Sequence, residues 1–472
     1  MRAHEAGWAH AAVSVRGPAW LRDPDDVNAL VPQLWSRTAR KADGVLEIGG
    51  VRLTDLVAEH GSPAYVLDEA DFRARARAFR DAFETYDVYY AGKAFLCTTI
   101  ARWIAEEGLS LDVCSAGELA VAERAGFPME RVGLHGNNKT LGELEQAVTL
   151  GVGRIVVDSF HEIQRLAEVV STGSTNGDRR TARVMVRVTA GVEAHTHEYI
   201  ATAHEDQKFG FSIGSGDAFD AIRQIRETEG LELLGLHSHI GSQIFDSAGF
   251  EVAARRVLAL HARVADELDC VMPELDLGGG FGIAYTTQDD PSDPAQLATE
   301  LTKIVTEECG AHDLEVPRLS IEPGRAIVGP AMCTVYEVGT VKAVELDGGA
   351  VRTYVSVDGG MSDNIRTALY DADYSATLAS RASIAPAMLA RVVGKHCEAG
   401  DIVVKDEFLP GDLGPGDLVA VPATGAYCRS MASNYNHALR PPVIAVREGL
   451  SRVIVRRETM DDLLATDAGM ES

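Results

Sequence analysis

Lys93 is the first residue here that could do chemistry. In Tyr89-Tyr90-Ala91-Gly92-Lys93-Ala94-Phe95 its amine stands where an apolar run meets a turn. Burial disfavours an ammonium and lowers its pKa, and a lysine so lowered is the amine that forms Schiff bases. Alone, Lys93 reads as easily as a solvated lysine at a loop start, so the case depends on partners. Leu275-Asp276-Leu277-Gly278-Gly279-Gly280-Phe281-Gly282 offers one. Three glycines after an apolar strand let backbone N–H groups close on an anion. Ile321-Glu322-Pro323-Gly324-Arg325 offers another. Its carboxylate can keep a pyridine nitrogen protonated, and its guanidinium can fork a carboxylate. A flexible turn and a structural ion pair are the plainer readings of these two motifs taken singly.

Two further segments carry polar groups suited to a site. In Leu236-His237-Ser238-His239-Ile240-Gly241-Ser242-Gln243 an imidazole can stack on an aromatic ring and Ser242 can bind phosphate. We expect only one of His237 and His239 at a site formed by the strand end, which disfavours a two-histidine metal centre. His195 and His197 lack the helical His-Glu-x-x-His spacing of a zinc site, so no metal is expected. In Lys395-His396-Cys397-Glu398-Ala399-Gly400-Asp401 the thiol among polar residues can donate a proton, although most free cysteines are inert and partly buried. A strand-end lysine, a glycine cradle and a carboxylate–arginine pair together point to phosphate, imine and electron-sink chemistry.

The elements that must hold these groups follow a strand-then-helix rhythm. Eight apolar runs occur, at Val88–Lys93, Leu109–Ser115, Val132–Asn137, Ile155–Ser159, Val184–Thr189, Leu233–Gly241, Leu275–Gly280 and Leu319–Arg325. Amphipathic stretches such as Ala253–Leu268 lie between them. The pattern predicts an α/β fold, a (β/α)8 TIM-like barrel, with the polar residues at the C-terminal strand ends where such barrels build their sites. A doubly wound sheet is disfavoured by the strand count and by the absence of Gly-x-Gly-x-x-Gly. After residue 330 short strands alternate with turns such as Gly414-Pro415-Gly416-Asp417, predicting a C-terminal β-rich domain of sandwich or barrel type. We expect an irregular leader over 1–45, broken by Pro18, Pro24 and Pro32. Strands in 46–68 are expected to join the β domain, with the barrel over 69–330 and the β domain over 331–472. Ser171–Arg180 reads as a surface loop.

Composition narrows the setting. The chain has 472 residues and a formal charge of −26, with 44 Lys and Arg against 70 Asp and Glu. Phosphate backbones need a basic surface, so nucleic acid is not an expected partner. The seven cysteines are scattered without a Cys-x-x-Cys pair, which argues against disulfides and structural zinc. No apolar stretch is long enough to span a bilayer, and Met1-Arg2-Ala3-His4-Glu5 opens no signal core. We expect a cytoplasmic protein with no membrane partner.

In this order, from about Gly50 to about Thr459, the motifs resemble the fold-type III pyridoxal-phosphate-dependent decarboxylases. Several segments resemble the diaminopimelate decarboxylase branch of that family. They are His135-Gly136-Asn137-Asn138-Lys139, His237–Gln243, Met361–Arg366 with Leu369-Tyr370, Cys397–Asp401 and Thr424–Tyr427. The resemblance implies a head-to-tail homodimer in which Cys397 and Glu398 reach the partner's site. It implies that Lys93 carries pyridoxal phosphate, Glu322 faces the pyridine nitrogen, His239 stacks on the ring and Arg187 lies near the ring hydroxyl. Ser242, Gly279, Gly280, Gly324, Arg325 and Tyr427 are implied on the cofactor's phosphate side. Arg325, Arg366, Tyr370, Glu398 and Tyr427 are implied to read the distal amino-acid end of meso-diaminopimelate. Cys397 is implied to protonate the carbon that loses carbon dioxide, leaving lysine, the last step of lysine biosynthesis. Decarboxylation of ornithine, arginine or carboxynorspermidine is the nearest rival and is disfavoured by Arg366–Tyr370 and Cys397–Asp401. A racemase would share the lysine. A non-catalytic cofactor-binding protein is disfavoured by Cys397.

Overall fold

The computed structural model describes residues 17–172, 180–191, 208–346 and 351–471. The chain divides into two compact units. Of the described residues, those within 1–72, 283–290 and 328–472 form a β unit, and those within 73–282 and 291–327 form a barrel unit.

Eight parallel strands close the barrel. They are β1 (Tyr86–Ala91), β2 (Ser110–Val113), β3 (Val132–Leu134), β4 (Arg154–Val157), β5 (Ala182–Thr189), β6 (Leu231–Ser238), β7 (Glu274–Asp276) and β8 (Arg318–Ile321). Each pairs with the next, and β8 returns to β1 through Leu319 opposite Tyr86. All eight apolar runs read from the sequence are therefore strands. They are apolar because a parallel strand is covered on both faces: Leu111, Val113, Ile155 and Val157 are all buried. Full burial of such a side chain stabilises by roughly 1.5–3 kcal/mol.

Helix starts and stops set where each strand end falls. Ser115 caps the helix Ala116–Ala125 by accepting from Glu118 N–H, and Gly126 ends it with φ of 72°. Thr140 and Glu143 form a capping box on Leu141–Leu150, which satisfies two otherwise unpaired N–H groups. Glu143 also accepts from Ala116 N–H at 2.8 Å, tying neighbouring helix starts together. These caps sit directly after β2 and β3, so they fix the loops that carry Cys114 and His135.

One polar layer crosses the barrel interior. Arg154 of β4 is 1% exposed, and its guanidinium lies 3.7 Å from the centroid of the Tyr89 ring on β1. It donates to Ser320 Oγ of β8 at 2.9 Å and pairs with Asp276 of β7. Ser320 Oγ in turn donates to Asp276 Oδ2 at 2.7 Å. A buried charge is tolerated when paired and hydrogen-bonded.

In the β unit the long strand Met332–Glu345 pairs antiparallel with Ala64–Asp68, Val351–Val357 and Leu418–Val421. Ala64–Asp68 also pairs parallel with Val443–Arg447. The stretch Val45–Leu53 forms instead part of a separate three-stranded sheet, Arg40–Ala42, Val45–Ile48 and Val51–Arg52. The core gathers Leu46, Ile48, Leu53, Val66, Val335 and Ile444. Leu34 and Trp35 are buried in that same core, so the later part of the expected leader is packed structure. Residues 1–16 lie outside the described residues. The strand Ile402–Pro410 escapes the sequence reading because Lys405, Asp406 and Glu407 interrupt its apolar pattern. Of the expected 171–180 loop, Ser171 and Thr172 end the helix Phe160–Thr172 and 173–179 lie outside the described residues. No described helix is long and apolar enough to cross a membrane.

Candidate active site

Lys93 occupies the 3-10 turn Gly92–Ala94 that follows β1. A buried lysine is expected there, but the side chain is exposed and opens onto a cavity of about 290 Å³. Burial is therefore not what would activate this amine. The cavity lies at the C-terminal strand ends: Asp112 and Cys114 close β2, His135 follows β3, Arg187 comes from β5, His237 from β6 and Glu322 follows β8.

Glu322 is its electrostatic centre. The carboxylate is buried, and its Oε1 lies 2.9 Å from His237 Nε2 and 3.4 Å from His135 Nε2. His135 Nε2 also lies 3.1 Å from Asp112 Oδ1. Burial alone would raise Glu322, but the facing imidazoles of His237 and His135 more than reverse that and hold it well below the usual carboxylate range. Asp112 goes the other way: burial, then the charge of Glu322, pushes it well above. Two neighbouring carboxyl groups are thus shifted in opposite directions by their surroundings. His135 and His239 are both held neutral, chiefly by burial.

Both His237 and His239 line the cavity, so the expectation of a single histidine there fails. Residues two apart on a strand share a face. His239 Nδ1 accepts from Gly279 N–H at 3.2 Å, which fixes the tautomer and links the imidazole to the glycine cradle. Within the cradle, a Cβ on Gly278, Gly279 or Gly280 would stand 2.4, 2.2 or 2.3 Å from a backbone oxygen, so no side chain fits. Gly278 and Gly280 also take φ of 73° and 105°, which glycine adopts without strain. A Cβ on Gly324 would come within 2.9 Å of Ala91. Beside the cradle, Arg325 donates to Ser242 Oγ at 2.6 Å. Arg187 stacks over the Phe209 ring at 4.3 Å and lies 4.0 Å from Asp158.

These residues fit pyridoxal phosphate. They offer an amine for its aldehyde, an ionised carboxylate for its ring nitrogen and an imidazole face for its ring. Arg187 suits the ring hydroxyl, and a glycine turn with Ser242 and Arg325 suits the phosphate. His135, His237 and Glu322 also bring one ligating atom each within 4.8 Å of one another, as a divalent cation would need; hydrogen bonds already occupy the trio. His195 and His197 lie outside the described residues.

The remaining expected site residues belong to the β unit. Arg366 begins the helix Arg366–Tyr370, is 5% exposed and stacks 4.6 Å from the Tyr285 ring centroid. It donates to Tyr374 Oη at 2.6 Å, while its Nε has no partner among the described residues. Among the described residues it forms no ion pair, so its charge has no anion. Cys397 is exposed, and Glu398 accepts from Tyr435 Oη at 2.6 Å. Asp401 holds their turn by accepting from Met361 N–H and His396 N–H at 2.6 and 2.7 Å. Tyr427 takes φ of 64°, a strained conformation for an aromatic residue that tends to mark functional sites.

Comparison with known proteins agrees with this geometry. Residues 69–329 match the family model described as "Pyridoxal-dependent decarboxylase, pyridoxal binding domain". Diaminopimelate decarboxylase of Mycobacterium leprae is 55% identical over 475 residues, covering 99% of this chain and 100% of that one. The Bacillus subtilis enzyme of the same name is 45% identical, covering 90% and 95%. A crystal structure of diaminopimelate decarboxylase from M. jannaschii in complex with L-lysine superimposes with a TM-score of 0.84 at 29% identity, covering 92% and 98%. The chain belongs to the pyridoxal-dependent decarboxylases and, among them, to the diaminopimelate decarboxylase family.

Sequence reading missed Asp112, Cys114, Asn137 and Phe209 as cavity residues and gave His135 no role. The available signal was position: Asp112, Cys114, His135 and Asn137 all lie within two apolar runs already recognised as barrel strands.

Proposed function

We propose that this chain decarboxylates meso-diaminopimelate to L-lysine with pyridoxal phosphate, the last step of lysine biosynthesis, as a cytoplasmic homodimer. One observation carries the reading: the Lys93 amine opens onto a cavity walled by ionised Glu322 and neutral His239, beside a glycine cradle. Family membership supports the same conclusion. Bound there, pyridoxal phosphate supplies an electron sink for the carbon that loses its carboxylate.

The chain's residues supply the rest. Lys93 would hold the cofactor through its amine. Glu322 would keep a proton on the ring nitrogen, and His239 would cover one ring face. Arg187 would stand near the ring hydroxyl. Ser242, Gly279, Gly280, Gly324, Arg325 and Tyr427 take the phosphate side. Cys397, contributed by the second subunit with Glu398, delivers a proton to the carbon that has lost carbon dioxide.

Selectivity follows from charge. Arg366 is a buried guanidinium with no anion among the described residues, and it suits the substrate's distal carboxylate together with Arg325, Tyr370 and Tyr427. Glu398 suits the distal ammonium. A substrate lacking either group would leave a charge unpaired, at a cost of several kcal/mol. Assaying carbon dioxide release and lysine formation on meso-diaminopimelate, ornithine, arginine and lysine tests this. Turnover of meso-diaminopimelate alone is expected; faster release from ornithine or arginine would overturn the assignment.

A further inference from the structure

His237 lies on the strand floor of the cavity and is 1% exposed. Its Nε2 meets Glu322 Oε1 at 2.9 Å, and its Nδ1 is buried with no partner among the described residues. An imidazole kept there for packing alone is a poor choice, because an unpaired buried nitrogen destabilises the fold relative to an apolar ring. What the histidine supplies is one directed N–H bond onto Glu322. With no acceptor facing Nδ1 among the described residues, the N–H that geometry favours is the one on Nε2, facing the carboxylate. His135 stands edge-on to His237, with ring centroids 5.0 Å apart, and faces the same oxygen at 3.4 Å. The same His135 Nε2 also lies 3.1 Å from Asp112 Oδ1. Glu322 Oε1 is thus walled by two imidazoles, leaving Oε2 to meet a ligand.

We propose that His237 is a positioning residue for the reaction, its Nε2–H holding Glu322 in the orientation and charge state with which it meets the cofactor's ring nitrogen. This rests on the reading that Glu322 faces that nitrogen. His237 acts through Glu322 and touches no reacting atom.

The test compares wild-type, His237→Phe, His237→Gln and Glu322→Gln apoproteins. Each is titrated with pyridoxal phosphate, its visible spectrum recorded, and kcat and KM measured on meso-diaminopimelate. Losing one hydrogen bond to a buried carboxylate predicts that His237→Phe binds the cofactor about 10- to 100-fold more weakly. Its absorbance band should shift, and kcat should fall more than KM changes. His237→Gln, whose amide N–H reaches the place of Nε2, should restore most of the affinity and the spectrum. If His237→Phe does not fold, His237→Asn, whose amide stops near the place of Nδ1, makes the same comparison. The proposal is overturned if the donor-less variant keeps wild-type affinity, spectrum and kcat. It is equally overturned if His237→Gln is no better than His237→Phe at equal melting temperature. Should Glu322→Gln leave affinity and turnover intact, the reading of Glu322 falls first, and the proposal with it.

Discussion

At the scale of single residues, environment sets charge more than residue type does. Glu322 and Asp112 line one cavity, yet facing imidazoles push one well below the usual carboxylate range while burial pushes the other well above it. A third buried carboxyl, Asp363 in the β unit, is pushed up to about 7, chiefly by burial. It accepts from Gly360 N–H at 2.8 Å and from the Tyr336 hydroxyl. An unfolded aspartate titrates near ~3.9, so between the two values the folded chain keeps a proton that the unfolded chain has released. Stability contributed by this group therefore falls as pH rises from about 4 to about 7 and is level above that, a loss on the order of 4 kcal/mol. Asp363→Asn keeps an acceptor and cannot ionise. Its melting temperature should gain on wild type steadily across that window; parallel curves would show that Asp363 does not titrate there.

The same scale explains what was legible in the sequence. Lys93, Gly278–Gly280 and Glu322–Arg325 announce themselves because several chemically marked residues adjoin in one short segment. Asp112 and Phe209 do not: one is a lone side chain within a strand and the other within a loop, and only barrel closure brings them to the cavity. His237 was visible but set aside by the expectation that a single histidine reaches the site, and Lys93 lies at the expected strand end but exposed rather than buried.

At the scale of elements, periodicity read from the sequence finds all eight barrel strands, because parallel strands covered on both faces are continuously apolar. It misses Ile402–Pro410, where three charged residues break the run, and it cannot show that Leu34 and Trp35 pack into the β unit's core. The Arg154–Asp276–Ser320 layer was equally invisible, since its members lie on three strands far apart in sequence. Removing one partner of a buried ion pair leaves an uncompensated charge, so Asp276→Ala should destabilise the barrel by about 3–5 kcal/mol. Replacing both, as Arg154→Met with Asp276→Leu, should recover much of that stability. Denaturant unfolding of the single and double variants checks it; a double variant no more stable than the single would show that the cost is one of packing.

At the scale of the molecule, the proposed dimer shares its sites. Lys93→Ala and Cys397→Ala variants should each lose turnover as pure proteins. Mixed and re-equilibrated, half the dimers would be hybrids with one intact site, so activity should return to about a quarter of wild type. A mixture as inactive as its components would place both residues in the same subunit's site. The central claim is the covalent joining of the Lys93 amine to pyridoxal phosphate. Borohydride reduction of the cofactor-loaded protein followed by peptide mapping tests it most directly. The pyridoxyl label is expected on Lys93, in the peptide containing Tyr90-Ala91-Gly92-Lys93. A label on any other lysine, or on none, would contradict it.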